Sequence, residues 1–477
     1  MTTAVVVGSG PNGLAGAIRL AQAGLSVTVL EAHERPGGGT RTSELTLPGL
    51  LHDDCAAFHP TGVASPFFSS LGLEEHGLRW RWPEIDLAHP LDDGRAGYAT
   101  RSLAASATAS LGVDAARWQR ILGPMVRHFD DLVDEVFQPV THLPRHPVTL
   151  GRFGVKALQP ATWTTARFRD DPARALFSGV AAHVFGRLDT PLSGSVGLML
   201  TATAHAVGWP VAEGGTASIT RALLSVLTSL GGTVRTGVRV TSLDQVRELT
   251  GGAAPDVVLL DTAPAGVLDI VGDRLPPRVR RALARYTYGP AAFKVDLAIE
   301  GDIPWTNEAC RRAGTLHLGG TAEEVAAIEA ATVRGEMPER PFVLLGQQYL
   351  ADPSRSSGTT HPVYAYAYVP HGYDGDATEA VLSQVERFAP GFRERVLAVA
   401  PRGPAALEAY NANYVGGDIS AGANTARQVA FRPRIALSPY ELGVPGVYLC
   451  SAATPPGAGV HGMGGFHAAE TALARLR

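Results

Sequence analysis

The spacing of apolar residues divides this chain into three kinds of segment. Near the start, Ala4-Val5-Val6-Val7 is a continuous apolar run of strand length. Leu14, Ala17, Ile18, Leu20 and Ala21 then recur at helical spacing, and the helix ends at Gly24. A second run, Ser26-Val27-Thr28-Val29-Leu30, predicts another strand that ends on Glu31. Residues 101–208 predict mainly helix, with a 3.6-residue period over Leu103–Leu111, Trp118–Val136 and Ala173–Phe185. After residue 210 short apolar runs return. A helix over Ile219–Leu230 leads to strands at Thr233–Arg235, Val238–Leu243 and Val257–Leu260. Further on, Ala292–Ile299, Phe342–Tyr349 and Val363–Val369 predict strands, then a strand over Gly446–Cys450 precedes a helix over Phe466–Leu476. In Val363–Val369 the residues Tyr364, Tyr366 and Tyr368 alternate with small ones, so the tyrosines share one face. That face either lines a ligand cavity or forms a ladder in solvent.

Between the first strand and helix lies Gly8-Ser9-Gly10-Pro11-Asn12-Gly13. Strand, glycine turn, helix, strand and acid in that order make the dinucleotide-binding βαβ unit. Gly8 permits the tight turn. Gly10 lets backbone amides at the Pro11-Asn12 helix start approach a pyrophosphate, and Gly13 lets the helix pack closely. Glu31, followed by Ala32, stands where a carboxylate accepts hydrogen bonds from ribose hydroxyls, which favours FAD or NAD over NADP.

The chain has 477 residues, 45% hydrophobic and 18% charged, which suits a soluble globular protein of two or three domains. A net charge of −4 supplies no basic field for nucleic acid. Cys55, Cys310 and Cys450 are far apart and odd in number, so they predict neither a disulfide framework nor a metal site, and a reducing cytoplasm is the expected setting. No targeting segment is expected before the first strand, and no uninterrupted apolar stretch reaches membrane-spanning length. Peripheral membrane contact and the oligomeric state stay open. Lys156 and Lys294 are the only lysines among the 41 Lys and Arg residues. That bias, with abundant Ala, Gly and Pro, suits a GC-rich bacterial genome and draws attention to each lysine.

A second glycine-rich loop, His33 to Thr42, carries Gly37-Gly38-Gly39-Thr40-Arg41. A paired-glycine loop followed by a basic residue resembles the loop along the pyrophosphate in FAD proteins of the glutathione-reductase superfamily. Taken with GSGPNG (8–13) and RPGGGTRT (35–42), the segments GWPVAEGGTASI (208–219), YGPAAFKVDLAI (288–299), RFAPGF (387–392), NYVGGDI (413–419) and YLCSAATPPGAGVHGMGG (448–465) resemble the phytoene-dehydrogenase-like FAD-dependent oxidoreductases. This branch is shared with amine oxidases, and the match runs along nearly the whole chain. The implied fold is mixed α/β: a Rossmann-like FAD-binding domain with an inserted substrate domain of sheet and helices. The expected division is 1–100, 209–285 and 431–477 for FAD, 101–208 for a helical substrate cap, and 286–430 for the substrate sheet.

By the same resemblance, Gly8, Gly10, Gly13, Glu31, Gly38, Gly39, Thr40 and Arg41 hold the ADP half of FAD, with Val240 and Ala263 beside it. Gly462 and Met463 lie at the isoalloxazine, where a helix N-terminus stabilises the negative charge of reduced flavin. Two departures stand out: Gly464 replaces a cysteine common in relatives, and Ala453 replaces a glycine. They put a redox-thiol role in that turn in doubt.

Lys294 resembles the flavin-adjacent lysine of amine oxidases, where a cation assists electron transfer to oxygen; the alternative is a structural pair with Asp296 or another acid. His461 is a candidate acid or base facing substrate, whereas His59, His183 and His205 read as packing residues. Trp209 either packs on the flavin or belongs to the core. No second glycine fingerprint suggests a nicotinamide site, and no metal is expected. The implied activity is desaturation or oxidation of a largely apolar small molecule, with O2, a quinone or another carrier as acceptor. A flavin amine oxidase, a redox-neutral isomerase and a non-enzymatic lipid-binding escort of the GDP-dissociation-inhibitor kind are the alternatives.

Overall fold

The computed structural model describes residues 2–477. The strands of its two main sheets are, in chain order, β1 Thr3–Val7, β2 Ser26–Leu30, β3 Ile85–Pro90, β4 Ala96–Ala99, β5 Thr233–Arg235, β6 Val257–Leu260, β7 Ala291–Glu300, β8 Ala313–Leu318, β9 Val343–Gly346, β10 Thr360–Val369, β11 Val396–Arg402 and β12 Val447–Leu449. Four helices matter for the site: α1 Pro11–Gln22, α2 Ser193–Ala206, α3 Ala322–Val333 and α4 Met463–Leu476.

The first sheet is parallel, in the order β12-β6-β1-β2-β5. Parallel strands are covered on both faces, which is why β1 and β6 are apolar without alternation. Val7 lies opposite both Leu30 and Leu260, so the carboxyl ends of three strands meet at one edge. That edge carries Gly8, Glu31 and Asp261.

The second sheet has the order β11-β7-β10-β9-β8-β3-β4 and is antiparallel except where β3 runs parallel to β8. Its two faces differ in kind. Val295, Leu297, Ala365, Ala367, Val343, Leu345, Leu316 and Leu318 bury one face in an apolar core with Val381, Val385 and Phe388. The opposite face presents Lys294, Asp296, Tyr364, Tyr366, Tyr368, Thr315, His317 and His89, and all of them are buried. The tyrosine ladder therefore faces the protein interior, not solvent.

Several expectations change. Val238–Leu243 is not a strand: Gly237 turns the chain at φ +68, and Ser242 caps a helix over Leu243–Leu249. The long helix expected over Trp118–Val136 breaks at His128 into two, Ala115–Arg127 and Phe129–Val136. Phe342–Tyr349 is strand only over β9, and a short 3-10 turn follows. β3 and β4, within the stretch 1–100 expected to serve the nucleotide domain, pair into the second sheet. β8, the partner of β3, lies more than two hundred residues away, a pairing that local pattern does not reveal.

Candidate flavin and substrate site

The first sheet's edge builds a cradle. Gly8 takes φ +100, and its N–H donates to the Leu30 carbonyl at 2.8 Å. α1 then starts at Pro11 with Gly10 as an N-cap that offers no side-chain acceptor. The early amides of α1, Asn12 among them, have no intrahelical acceptor and sum into a partly positive helix end. Space at the turn is tight: a Cβ on Gly10 would meet the Asp261 carboxylate, and one on Gly13 would meet the Gly8 carbonyl.

Asp261 was not foreseen as a site residue. Its carboxyl accepts from the Gly13 N–H at 2.9 Å, and burial pushes its pKa up to about 7. The only sequence signal was an acid closing an apolar strand. Beside it, Asn413 accepts from the Ala263 N–H at 2.8 Å and donates to the Asp261 carbonyl at 3.0 Å. The Ala263 amide is therefore engaged by a protein side chain.

Glu31 is buried. One carboxylate oxygen accepts from the Ser9 N–H at 2.9 Å and from the Ser9 hydroxyl; the other accepts from the His33 N–H at 2.8 Å and the Arg41 guanidinium at 3.5 Å. The acid thus clamps the second glycine loop onto the first. Ser9 completes the clamp by accepting from the Gly37 N–H at 3.1 Å. Thr40 donates to the Gly37 carbonyl at 2.7 Å, and Gly38 at φ +56 would place a Cβ 3.0 Å from the Gly10 Cα. Arg41 is not a solvated arginine: it is buried, donates to the Arg35 carbonyl at 2.8 Å and lies 5.1 Å from the Tyr410 ring. Val240 is buried with Val5, Val7 and Leu30, near the Val238 N–H that donates to the Glu31 carbonyl at 2.8 Å. Ala32 is exposed.

At the other end of the chain, α4 opens at Met463, three residues earlier than the sequence pattern suggested. Gly462 precedes it at φ +70. α4 packs on α1 where Gly16 lies 3.2 Å from the Gly465 carbonyl oxygen, measured from the position a Cβ would take. A larger residue at either position would separate the two helix starts. His461 is a cap here: its Nδ1 accepts the Met463 N–H at 3.1 Å, its ring lies 5.1 Å from Phe137, and burial lowers its pKa to about 4. In this structure Nδ1 therefore serves the start of α4.

Lys294 stands on the polar face of the second sheet and is 2% exposed. Its ammonium pairs with Asp296, two residues along β7, and lies 4.4 Å from the Tyr364 ring centroid. Asp296 also meets His52 and Arg402, each at 3.4 Å. Burial alone would raise Asp296, but Lys294, His52 and Arg402 outweigh it and hold the carboxyl below its ordinary range. Burial draws Lys294 below the ordinary ammonium range, against the pull of Asp296. Both sequence readings of Lys294 thus share one geometry: a paired cation, set in the wall of the interior face.

Tyr410 and Arg402 join this face to the glycine loop. Tyr410 donates to the Gly38 carbonyl at 2.9 Å and is flanked by Arg41 and Arg402, at 5.1 and 5.7 Å from its ring. Arg402 donates to the Asp54 carbonyl at 2.6 Å, and Tyr364 to the Cys55 carbonyl at 2.5 Å. Trp209 is buried, held by its N–H on the Asp86 carboxyl at 2.6 Å, with His183 5.7 Å from its ring. His59 and His205 are buried and His183 partly so, all three with pKa values lowered by desolvation, and His205 accepts from the Trp118 indole at 3.0 Å.

The glycine turn, the amide-rich helix start and the buried acid at the end of β2 define a dinucleotide-binding protein of the Rossmann class. A profile for the NAD(P)-binding Rossmann-like domain matches residues 6–71. Along the whole chain, pyridine nucleotide-disulfide oxidoreductase domain-containing protein 2 of Rattus norvegicus is 24% identical, over 99% of this chain and 94% of the relative. Hydroxyneurosporene desaturase of Cereibacter sphaeroides is 32% identical over 56% of each chain. A putrescine oxidase structure shares the fold, with a TM-score of 0.63, 18% identity and coverage of 100% of this chain and 99% of that one. Phytoene dehydrogenase of Streptomyces griseus is 25% identical over 83% of this chain and 77% of the relative, so the similarity to desaturases extends along most of the chain, and the putrescine oxidase likeness is one of fold. The relatives named for an activity are a desaturase and a dehydrogenase, which supports an enzyme.

Proposed function

We propose that the chain is an FAD-dependent oxidoreductase that removes hydride from a largely apolar small molecule, leaving a C=C or C=N bond, with reoxidation by O2, a quinone or another carrier. One observation carries this reading. The double-glycine cradle and the Lys294 face are tied directly together, through Tyr410 on Gly38 and Arg402 beside Asp296. When bound, FAD accepts the hydride and passes the electrons on.

The residues present suit that cofactor. The amides at the start of α1 would hold the pyrophosphate, while Glu31, with four protein donors on its carboxylate, would brace the two glycine loops around the ADP half. Gly462 and Met463 open α4, whose N-terminus would stabilise the negative charge of reduced flavin there. Lys294, paired with Asp296, would supply the cation that the resemblance to amine oxidases implies near the flavin. Tyr364, Tyr366, Tyr368 and Trp209 supply apolar surface that orients the substrate and excludes water.

A peripheral membrane contact belongs to the same reading. Leu143 and Leu437 are 89% and 91% exposed, and Thr141 donates to the Leu437 carbonyl at 3.2 Å, so two loops present one apolar patch with Val140 and Ile435. No described helix is long and apolar enough to cross a membrane.

The test is direct. The purified protein should be yellow, should release FAD on heating, and should bleach under anaerobic conditions with an apolar substrate. A colourless protein that rejects added FAD refutes the reading.

A further inference from the structure

The interior face of the second sheet holds polar groups that the cradle and Lys294 do not use. Glu329, on α3, is fully buried, and neither carboxyl oxygen finds a hydrogen-bond partner among the described residues. The Gly186 amide approaches it without forming a well-aligned bond. The Tyr368 hydroxyl on β10 is likewise buried and makes no well-aligned hydrogen bond, the Tyr366 hydroxyl approaching it without one, and Glu329 is close enough to couple electrostatically to Tyr366 and Tyr368.

Aromatic rings surround these groups. Phe185 stacks on Tyr368 with 3.9 Å between centroids, and Phe342 meets Tyr368 edge-on at 5.0 Å. Phe185 is held at φ +48, a left-handed conformation that is unfavourable for a non-glycine residue. Next to Phe342, His317 leaves its Nδ1 unbonded. Buried polar atoms without partners destabilise a folded chain, so four of them, on three side chains in one aromatic nest, point to a ligand that completes them.

We propose that this nest binds the polar end of the substrate, a hydroxyl or carbonyl oxygen on an otherwise apolar molecule, with Glu329 and Tyr368 as its hydrogen-bonding pair. This rests on the reading of the protein as a flavin oxidoreductase with an apolar substrate. A carboxyl without a counter-cation in an apolar setting stays protonated, and burial pushes Glu329 well above the usual carboxylate range. It then offers one O–H donor and one acceptor, as Tyr368 does. An ammonium ligand would have to drive a proton out of a fully buried site. It would also enter a face that already carries the Lys294 and Arg402 cations.

The probes are 4-phenylbutanol, 4-phenyl-2-butanone, 4-phenylbutylamine and butylbenzene, added to the purified full-length protein. Binding is read twice, by perturbation of the flavin spectrum and by thermal shift, which needs no flavin. The alcohol and ketone should bind at least about tenfold more tightly than butylbenzene and the amine at pH 7. Glu329→Gln should keep that preference, since an amide still donates and accepts. Glu329→Leu and Tyr368→Phe should reduce it while leaving the thermal midpoint unchanged or higher, because each removes an unbonded buried group. Should Glu329→Leu fail to fold, Tyr368→Phe carries the test alone. A wild type with no preference for oxygen, a preference unchanged in Glu329→Leu or Tyr368→Phe, or an amine preference lost in Glu329→Gln overturns the proposal. A colourless protein that still ranks the probes by thermal shift refutes only the flavin reading.

Discussion

Asp296 lies two positions beyond Lys294 on one strand, so both side chains leave the same face of the sheet, and the carboxylate takes the ammonium. With His52 and Arg402 also on Asp296, the lysine is fixed beside the Tyr364 ring without reaching solvent. Asp296→Asn should leave a buried ammonium without its counter-charge and cost roughly 3–5 kcal/mol, measured by urea denaturation. A loss below about 1 kcal/mol would show that the pair carries no such weight.

Lys294→Met tests the same pair through chemistry. In protein reduced under anaerobic conditions and mixed with air-saturated buffer, reoxidation should slow by roughly 10–100-fold, the scale of one removed charge-stabilising group. An unchanged rate removes Lys294 from the oxygen reaction.

Glu31 anchors four donors, from Ser9, His33 and Arg41. Glu31→Gln should loosen FAD by about 10–100-fold, because hydrogen bonds to a charged acceptor contribute roughly 1.5–3 kcal/mol. Equilibrium dialysis of the apoprotein with FAD measures this. Gly13→Ala should have a larger effect on folding, since its Cβ falls on the Gly8 carbonyl.

Buried histidines set the acid limit. Burial holds His89, His183, His205 and His461 to about 4 and His59 to about 3, below the ordinary imidazole value of 6.5. Each binds its proton more weakly when folded, so the unfolded chain takes up more protons between roughly pH 6.5 and 4. Stability is therefore complete above 6.5 and falls as pH drops through that window, by up to about 1.4 kcal/mol per histidine per pH unit. Thermal midpoints between pH 7.5 and 4.5 should show the fall, and His461→Asn should make it shallower. A flat profile would mean that these imidazoles keep their ordinary affinity for protons.

Leu143→Glu combined with Leu437→Glu should abolish flotation with liposomes and leave flavin absorbance intact, since both side chains point into solvent. Flotation equal to wild type would refute membrane contact through this patch.

Adjacent positions along the chain were enough to write the first sheet's core and the cradle. Continuous apolar runs mark β1, β2 and β6, glycines mark the turn where a Cβ would clash, and period 2 puts three tyrosines on one face. The sequence could not choose between solvent and interior for that face, since alternation states which side chains go together and not what covers them. Only the tertiary structure paired β3 with β8, more than two hundred residues away, and so brought β3 and β4 into the second sheet. It turned His461 into a helix cap and revealed Asp261 beneath the glycine turn. It also left Glu329 and Tyr368 without partners inside an aromatic nest. Hydrogen bonding and burial depend on neighbours in space, and for these residues the neighbours come from distant parts of the chain.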